Sequence, residues 1–129
     1  PCLNRETAKL CNRCRVAYLP GAMTVKEAVE CMEAGADIVK IFPASLFGPK
    51  IIKAFLGPLP QLKMMPTGGV SPENCAEWIA AGAVAVGAGG ELTAGAKTGD
   101  YNAVTRAAAE MAVRVKEARA AKTKQGMAL

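Results

Sequence analysis

The sequence predicts an α/β fold of parallel strands joined by helical crossovers. Short apolar runs alternate with helical stretches at a fairly regular spacing, each run stops at Pro or Gly, and the connections are short. Such alternation implies parallel strands and right-handed crossovers. The runs are apolar on both faces, as strands covered by helices should be. Two architectures satisfy this pattern: an open doubly wound sheet, or part of a (β/α)8 barrel. Four βα units are half of the eight that a barrel needs, and a whole barrel takes roughly 200 residues or more. With 129 residues and no internal boundary or low-complexity segment, the chain reads as one domain, 1–129.

The elements follow in order. Asn4 caps a helix over Arg5–Cys14, with Glu6 in its first turn. Val16–Leu19 is a short strand stopped by Pro20-Gly21. Thr24 caps a helix over Val25–Ala34, with Glu27 at the capping-box position, and Gly35 ends it. Asp37–Phe42 is the second strand, stopped by Pro43. Pro49 sits in the first turn of a helix over Pro49–Leu56, which Gly57-Pro58 breaks. Lys63–Met65 is the third strand, ended by Pro66. Ser71-Pro72-Glu73 opens a helix to Ala80, and Gly82 stops it. Ala83–Val86 is the fourth strand. A GAGG segment, a short turn or helix at Glu91-Leu92 and a Gly- and Thr-rich loop lead to a final helix from Tyr101 to Ala120.

Composition bounds the function. Hydrophobic residues make up 51% and charged residues 21%, which fits a globular protein and argues against disorder. Aromatics are 5%, so the core is aliphatic, with Trp78 and the Met64-Met65 pair read as packing residues. No apolar run reaches the ~18 residues of a membrane span, and the first ten residues lack a signal peptide's apolar centre. No membrane partner and a cytoplasmic location are expected. The chain starts at Pro1, for which trimming of an initiator Met or loss of an upstream segment would account. Cys11 and Cys14 form a C-x-x-C, but there is no His and no second pair to complete a zinc site, so packing or surface thiols in a reducing compartment explain them. The net charge of +5 gathers near the end, where Arg114, Lys116, Arg119, Lys122 and Lys124 face only Glu117. No aromatics interleave with those charges, so the run reads as a solvated helix face fraying into a tail, and no nucleic-acid partner is expected.

The residue with most chemistry in it is Lys40, inside the run IVKIF. Alternation puts Ile38, Lys40 and Phe42 on one face and Val39 and Ile41 on the other. On a barrel's interior face, desolvation would disfavour the charged ammonium, and a neutral amine is a nucleophile toward ketones. On an edge strand, the same lysine would pack its stem and extend its head to solvent. The pattern fits both.

Two glycine pairs follow successive strands. In PTGGV (Pro66–Val70), Gly68 and Gly69 can present backbone N–H groups to an anion, and a helix starting at Ser71 would aim its positive end the same way. GAGG (Gly87–Gly90) repeats the arrangement after the fourth strand. Barrel enzymes often bind phosphate in the loops after their last two strands. The alternative is that these glycines only make turns. With no His, no P-loop lysine and no G-x-G-x-x-G after the first strand, His-based triads, nucleotide hydrolysis and hydride transfer have no support.

DIVKIFPA, FGPKIIKAFLGPLP and KMMPTGGVSPENCAEWIAAGAVAVGAGG together resemble the bacterial 2-keto-3-deoxy-6-phosphogluconate aldolases, which also act as 4-hydroxy-2-oxoglutarate aldolases. The resemblance runs from about Leu3 to the final helix, and VAYLPGAMTVKEA resembles that family's fifth strand and following loop. It implies a class I aldolase, a lyase using no cofactor and no metal, usually a trimer, in a barrel of which this chain is the C-terminal half. Lys40 falls on the family's Schiff-base lysine and Pro43 on the turn after it. Thr67, Gly68 and Gly69 fall on a substrate- and phosphate-binding segment, and Gly89 and Gly90 on a second phosphate loop. There the family often has Gly-Ser, so Gly90 removes a hydroxyl donor.

The family's first four strands have no counterpart here. They carry the glutamate that serves as general acid/base, and no carboxylate of this chain matches it. Three readings follow. In the first, Lys40 attacks the 2-keto group of a small keto acid and cleavage releases pyruvate and an aldehyde, the remaining strands coming from a lost segment or a second polypeptide; the expected partner is another copy in a homo-oligomer or the missing N-terminal half. In the second, a non-catalytic half barrel binds phosphorylated metabolites or pairs with itself. The third, another phosphate-binding barrel as in thiamine or tryptophan synthesis, gives no reason for a lysine in K-x-F-P.

Overall fold

The computed structural model describes the backbone of residues 1–126 and the side chains of residues 1–123. Lys124, counted above in the basic run, lies outside the described side chains.

The first helix, α1, spans Arg5–Cys14. The Asn4 side chain accepts a hydrogen bond from the Thr7 N–H at 2.8 Å, satisfying one of the orphan donors of the first turn. The next, α2, spans Val25–Glu33 and opens on a complete capping box. Thr24 Oγ1 accepts from the Glu27 N–H, and the Glu27 carboxylate accepts from the backbone N–H groups of Met23 and Thr24. These bonds hold the Glu27 carboxyl below the ordinary carboxylate range, the Met23 N–H contributing most. Three further helices follow: α3 over Lys50–Leu56, α4 over Cys75–Ala81 and α5 over Tyr101–Gly126. The Asp100 carboxylate accepts from the Ala103 N–H at 2.9 Å and so caps α5.

Three strands form one parallel sheet in the order β1 (Gly21–Ala22), β2 (Val39–Ile41), β3 (Met64–Pro66). Lys40 lies opposite Gly21 on one side and Met65 on the other. Val39, Ile41 and Met64 are fully buried and face the helices. They join Ala28 and Cys31 of α2, Ile52 and Phe55 of α3, Cys75 and Trp78 of α4, and Met111 of α5 in a continuous core. Lys40 and Met65 point the other way and are only partly buried. Met65 is therefore not core filler as the sequence suggested, whereas Met64 and Trp78 are. Among the described residues, no helix is long and apolar enough to cross a membrane.

Several sequence expectations need correction. Val16–Leu19 is not a strand: Val16 is exposed, and pairing begins at Gly21, inside the Pro20-Gly21 step expected to stop the run. Proline cannot donate to a ladder but can accept, and the Pro20 carbonyl takes the Lys40 N–H at 2.8 Å. The fourth strand, expected over Ala83–Val86, contracts to one parallel bridge between Thr67 and Gly87, with the Val84 N–H bonded to the Met64 carbonyl. The turn expected at Glu91-Leu92 precedes a 3₁₀ helix at Ala94–Thr98. The final helix runs beyond Ala120. Its basic residues face more than Glu117: Arg114 pairs with Glu110 at 2.6 Å, and Arg119 donates to the Val84 carbonyl at 2.7 Å.

Ile41→Ala should lower the unfolding free energy by about 2–5 kcal/mol, since it empties a fully buried site; a urea titration showing a loss under ~1 kcal/mol would place Ile41 outside the core. Glu27 gives a pH prediction. Its carboxyl is lowered in the folded state, so its contribution is present above the ordinary carboxylate range and is lost as pH falls through the folded value. Glu27→Gln should flatten the acid limb of a stability-against-pH curve, and an unchanged limb would exclude the capping box as its source.

Candidate functional site

Because the strands are parallel, the residues following each strand gather at one end of the sheet. Hydrogen bonds tie these segments together. The Thr67 N–H donates to the Ile41 carbonyl at 2.9 Å, the Ala44 N–H to the Thr67 carbonyl at 2.9 Å, and the Gly87 N–H to the Pro66 carbonyl at 2.9 Å. Lys40, Pro43, Thr67, Gly68 and Gly69 are thereby brought into one neighbourhood.

Within it, Lys40 Nζ lies over the ring of Phe42, 4.9 Å from the centroid. Among the described residues, no carboxylate lies within ion-pairing distance of this ammonium, and the four ion pairs found there lie elsewhere. Pro43, joined to Phe42 by a cis peptide bond, precedes the 3₁₀ turn Ala44–Leu46. Gly68 and Gly69 have φ of 92° and 71°, which other residues adopt only with strain. A Cβ on Gly68 would sit 3.4 Å from the Phe42 ring, and one on Gly69 would sit 2.7 Å from Ser45 Cβ. These glycines therefore let the turn after β3 lie against the turn after β2.

The Thr67 hydroxyl is buried and, among the described residues, has no hydrogen-bond partner. An unpaired buried hydroxyl costs free energy that a bound acceptor or donor could recover. By strand alternation Thr67 shares the face of Met65 and Lys40. Gly87 leaves it room, since a Cβ there would collide with the Thr67 oxygen.

The second glycine pair is placed differently. Gly89 and Gly90 are exposed, and nothing lies within 4 Å of where their Cβ atoms would be. Thr93 closes this turn, its N–H and hydroxyl both donating to the Gly89 carbonyl. The helix expected from Ser71 starts only at Cys75, which moves its positive end away from Gly68 and Gly69. The reason is Asn74, which competes for the turn: its Oδ1 accepts from the Ser71 N–H at 3.0 Å and its Nδ2 donates to the Gly69 carbonyl at 2.8 Å. Sequence reasoning missed Asn74 as a support of this loop. It also gave Phe42 no role, although alternation had put Phe42 on the face of Lys40.

The other reactive groups are elsewhere. Burial pushes the thiols of Cys31 and Cys75 up, which makes them inert packing groups. Cys11 and Cys14 are unpaired, and among the described residues no three His, Cys, Asp or Glu side chains are grouped to hold a metal. A concavity of about 480 Å³, lined by Cys11, Asn12, Arg15, Gly35 and Asp37 among others, opens at the opposite end of the sheet, before β1 and β2.

What the fold and site define is a parallel α/β protein whose distinctive chemistry lies around one lysine and the turns that follow the strands. The chain belongs to the KDPG and KHG aldolase family, whose profile matches residues 1–107. It is 49% identical over 74 residues to the 2-dehydro-3-deoxy-6-phosphogalactonate aldolase of Escherichia coli K12, covering 57% of this chain and 36% of that one. It is 34% identical over 113 residues to the KHG/KDPG aldolase of the same organism, covering 85% and 53%. Among solved structures, a native KDPGal structure superposes with a TM-score of 0.83 at 35% identity, over 92% of this chain and 57% of that one. The KDPG aldolase of Legionella pneumophila, captured with pyruvate as a covalent carbinolamine intermediate, superposes with a TM-score of 0.72 at 28% identity, over 88% and 55%. The chain thus spans about half the length, or less, of these relatives.

Gly69→Ala should destabilise the chain by about 1–2 kcal/mol from backbone conformation alone, plus the crowding against Ser45. Adding Ser45→Gly should restore only the crowding part. Thermal melts of both variants check this, and a neutral Gly69→Ala would mean that the two turns are not held together as described.

Proposed function

We propose that this chain carries the Schiff-base half of a class I aldolase, residues 1–129 forming one unit of four βα repeats and about half the wall of a (β/α)8 barrel. One observation carries the reading. In a chain of the KDPG and KHG aldolase family, Lys40 stands on the sheet face that the helices leave uncovered, beside Thr67 and the turn at Gly68 and Gly69.

The chemistry follows from an amine in that place. Neutral Lys40 Nζ adds to the 2-keto carbon, the carbinolamine loses water, and the protonated imine that results draws electrons from the neighbouring carbons. As the C4 hydroxyl loses its proton, the C3–C4 pair moves toward the imine. An aldehyde leaves, and the enamine is protonated and hydrolysed to pyruvate and free lysine. With 2-dehydro-3-deoxy-6-phosphogluconate the aldehyde is glyceraldehyde 3-phosphate; with 4-hydroxy-2-oxoglutarate it is glyoxylate. The curated relatives named for galactonate and gluconate acids both support a phosphorylated sugar acid. Thr67 offers its unpartnered hydroxyl to the substrate, and Gly68, Gly69, Gly89 and Gly90 offer backbone N–H groups to the phosphate. Pro43 shapes the turn beside them. We infer no cofactor and no metal, a cytoplasmic setting and a homo-oligomer, a trimer by family resemblance.

The proton transfers need an acid/base group, and among the described residues no carboxylate lies within ion-pairing distance of Lys40. The reading therefore assigns this group to the βα units that complete the barrel. A second reading, a non-catalytic half barrel that binds phosphorylated metabolites or pairs with another copy, is favoured by the same gap. Met23, Leu46 and Phe47, exposed at this end of the sheet, also favour it.

Borohydride reduction in the presence of pyruvate should leave a reduced pyruvate on Lys40, seen by peptide mass spectrometry, and Lys40→Met should abolish it without changing the circular dichroism spectrum. Retention of the adduct in Lys40→Met would overturn the assignment. Binding of a phosphorylated acid with no adduct in the unsubstituted chain would favour the second reading.

A further inference from the structure

We propose that the face of Phe42 carries the positive charge of Lys40 Nζ, first as ammonium and then as the protonated imine, which makes Phe42 a catalytic residue of the imine-forming step. This deepens the function proposed above and rests on it.

The geometry is specific. Nζ lies 4.9 Å from the ring centroid, inside the roughly 6 Å at which an aromatic quadrupole attracts a cation. Two residues apart on one strand and its continuation, the side chains project from the same face. Gly68 also lies next to the ring: an added Cβ would be 3.4 Å from Cε2 and 3.5 Å from Cδ2, in van der Waals contact with it. With no carboxylate within ion-pairing distance among the described residues, the ring is the group placed to receive the charge.

The reaction puts charge on that same nitrogen. Amine, ketone and one proton become a protonated imine and one water. The imine nitrogen stays bonded to the lysine side chain, so its charge develops beside the ring. When the C3–C4 bond breaks, its electron pair moves toward the imine, forming the neutral enamine as the hydroxyl proton departs to a base. A ring that attracts the cation favours its formation, whereas a full carboxylate counter-ion would hold it more tightly and dull it as an electron sink. Starting from the neutral amine, loss of the attraction should slow imine formation about twofold to thirtyfold; starting from the ammonium, which the ring holds as well, the two effects offset.

The test replaces Phe42 in the whole chain with mono-, di- and 3,4,5-trifluorophenylalanine, which nearly keep the ring's size while draining its negative face. Two readouts are taken. Without substrate, acetic anhydride labelling of Lys40 is measured against that of Lys26, whose side chain is 86% exposed. The ratio should rise with each fluorine as the ring loses its hold on the ammonium. With pyruvate in alkaline buffer, where an amine starts neutral and only the imine is charged, the rate of borohydride-trapped adduct should fall stepwise, with Phe42→Leu at or below the trifluoro value. A flat labelling series overturns the contact. A flat trapping series in a chain that does form the adduct overturns the catalytic role while leaving the aldolase reading intact. Absence of adduct from the unsubstituted chain overturns the aldolase reading and the catalytic role together, and the labelling series still decides whether the ring holds the ammonium.

Discussion

The register of β2 is the constraint on which the rest depends. This strand is hydrogen-bonded on both sides, with Val39 and Ile41 wholly buried against the helices. A slip of one residue would turn those two side chains outward and drive Lys40 into an aliphatic core. There its ammonium would be desolvated with no partner. The hydrophobic free energy of the flanking residues therefore decides where the lysine points. The cost of burying the Lys40 ammonium acts in the same direction, and its neighbours hold it on the uncovered face, beside Met65 and Phe42.

Around this strand the chain trades local stability for close approach. Gly68 and Gly69 adopt left-handed backbone conformations so that the turn after β3 can lie against the turn after β2. Gly87 yields space to Thr67, whose hydroxyl is left buried and unpaired. Asn74 spends both ends of its amide on the backbone of that turn rather than capping α4. Glycines that only a close approach requires, and an unsatisfied hydroxyl, concentrate where the proposed chemistry lies.

Much of this was legible before any coordinates. Arg5–Cys14 and the start of α2 followed from their caps, because an Asn, or a Thr followed by Glu at the third position, satisfies orphan N–H groups locally. Alternation in IVKIF separated Lys40 from Val39 and Ile41 for the same local reason. The misplacements share a cause. Val16–Leu19 looked like a strand by apolar content, yet pairing began at Gly21, because a ladder exists only where a partner strand lies alongside. Ala83–Val86 shrank to one bridge for the same reason. Ser71 looked like a helix start until the Asn74 side chain was seen to bond the turn instead.

What the sequence by itself determined is the list of helices, the presence of a lysine among apolar strand residues, and the glycine pairs after the strands. All of these rest on interactions within a few residues, which composition and spacing encode. Only the tertiary structure decided that Phe42 lies next to both Lys40 and Gly68, that the Thr67 hydroxyl has no partner among the described residues, and that Gly89 and Gly90 lie open while Gly68 and Gly69 are packed. Those outcomes depend on how segments tens of residues apart approach one another. That approach is set by burying Val39, Ile41 and Met64 in one core shared with residues of four helices, a condition that no local pattern records.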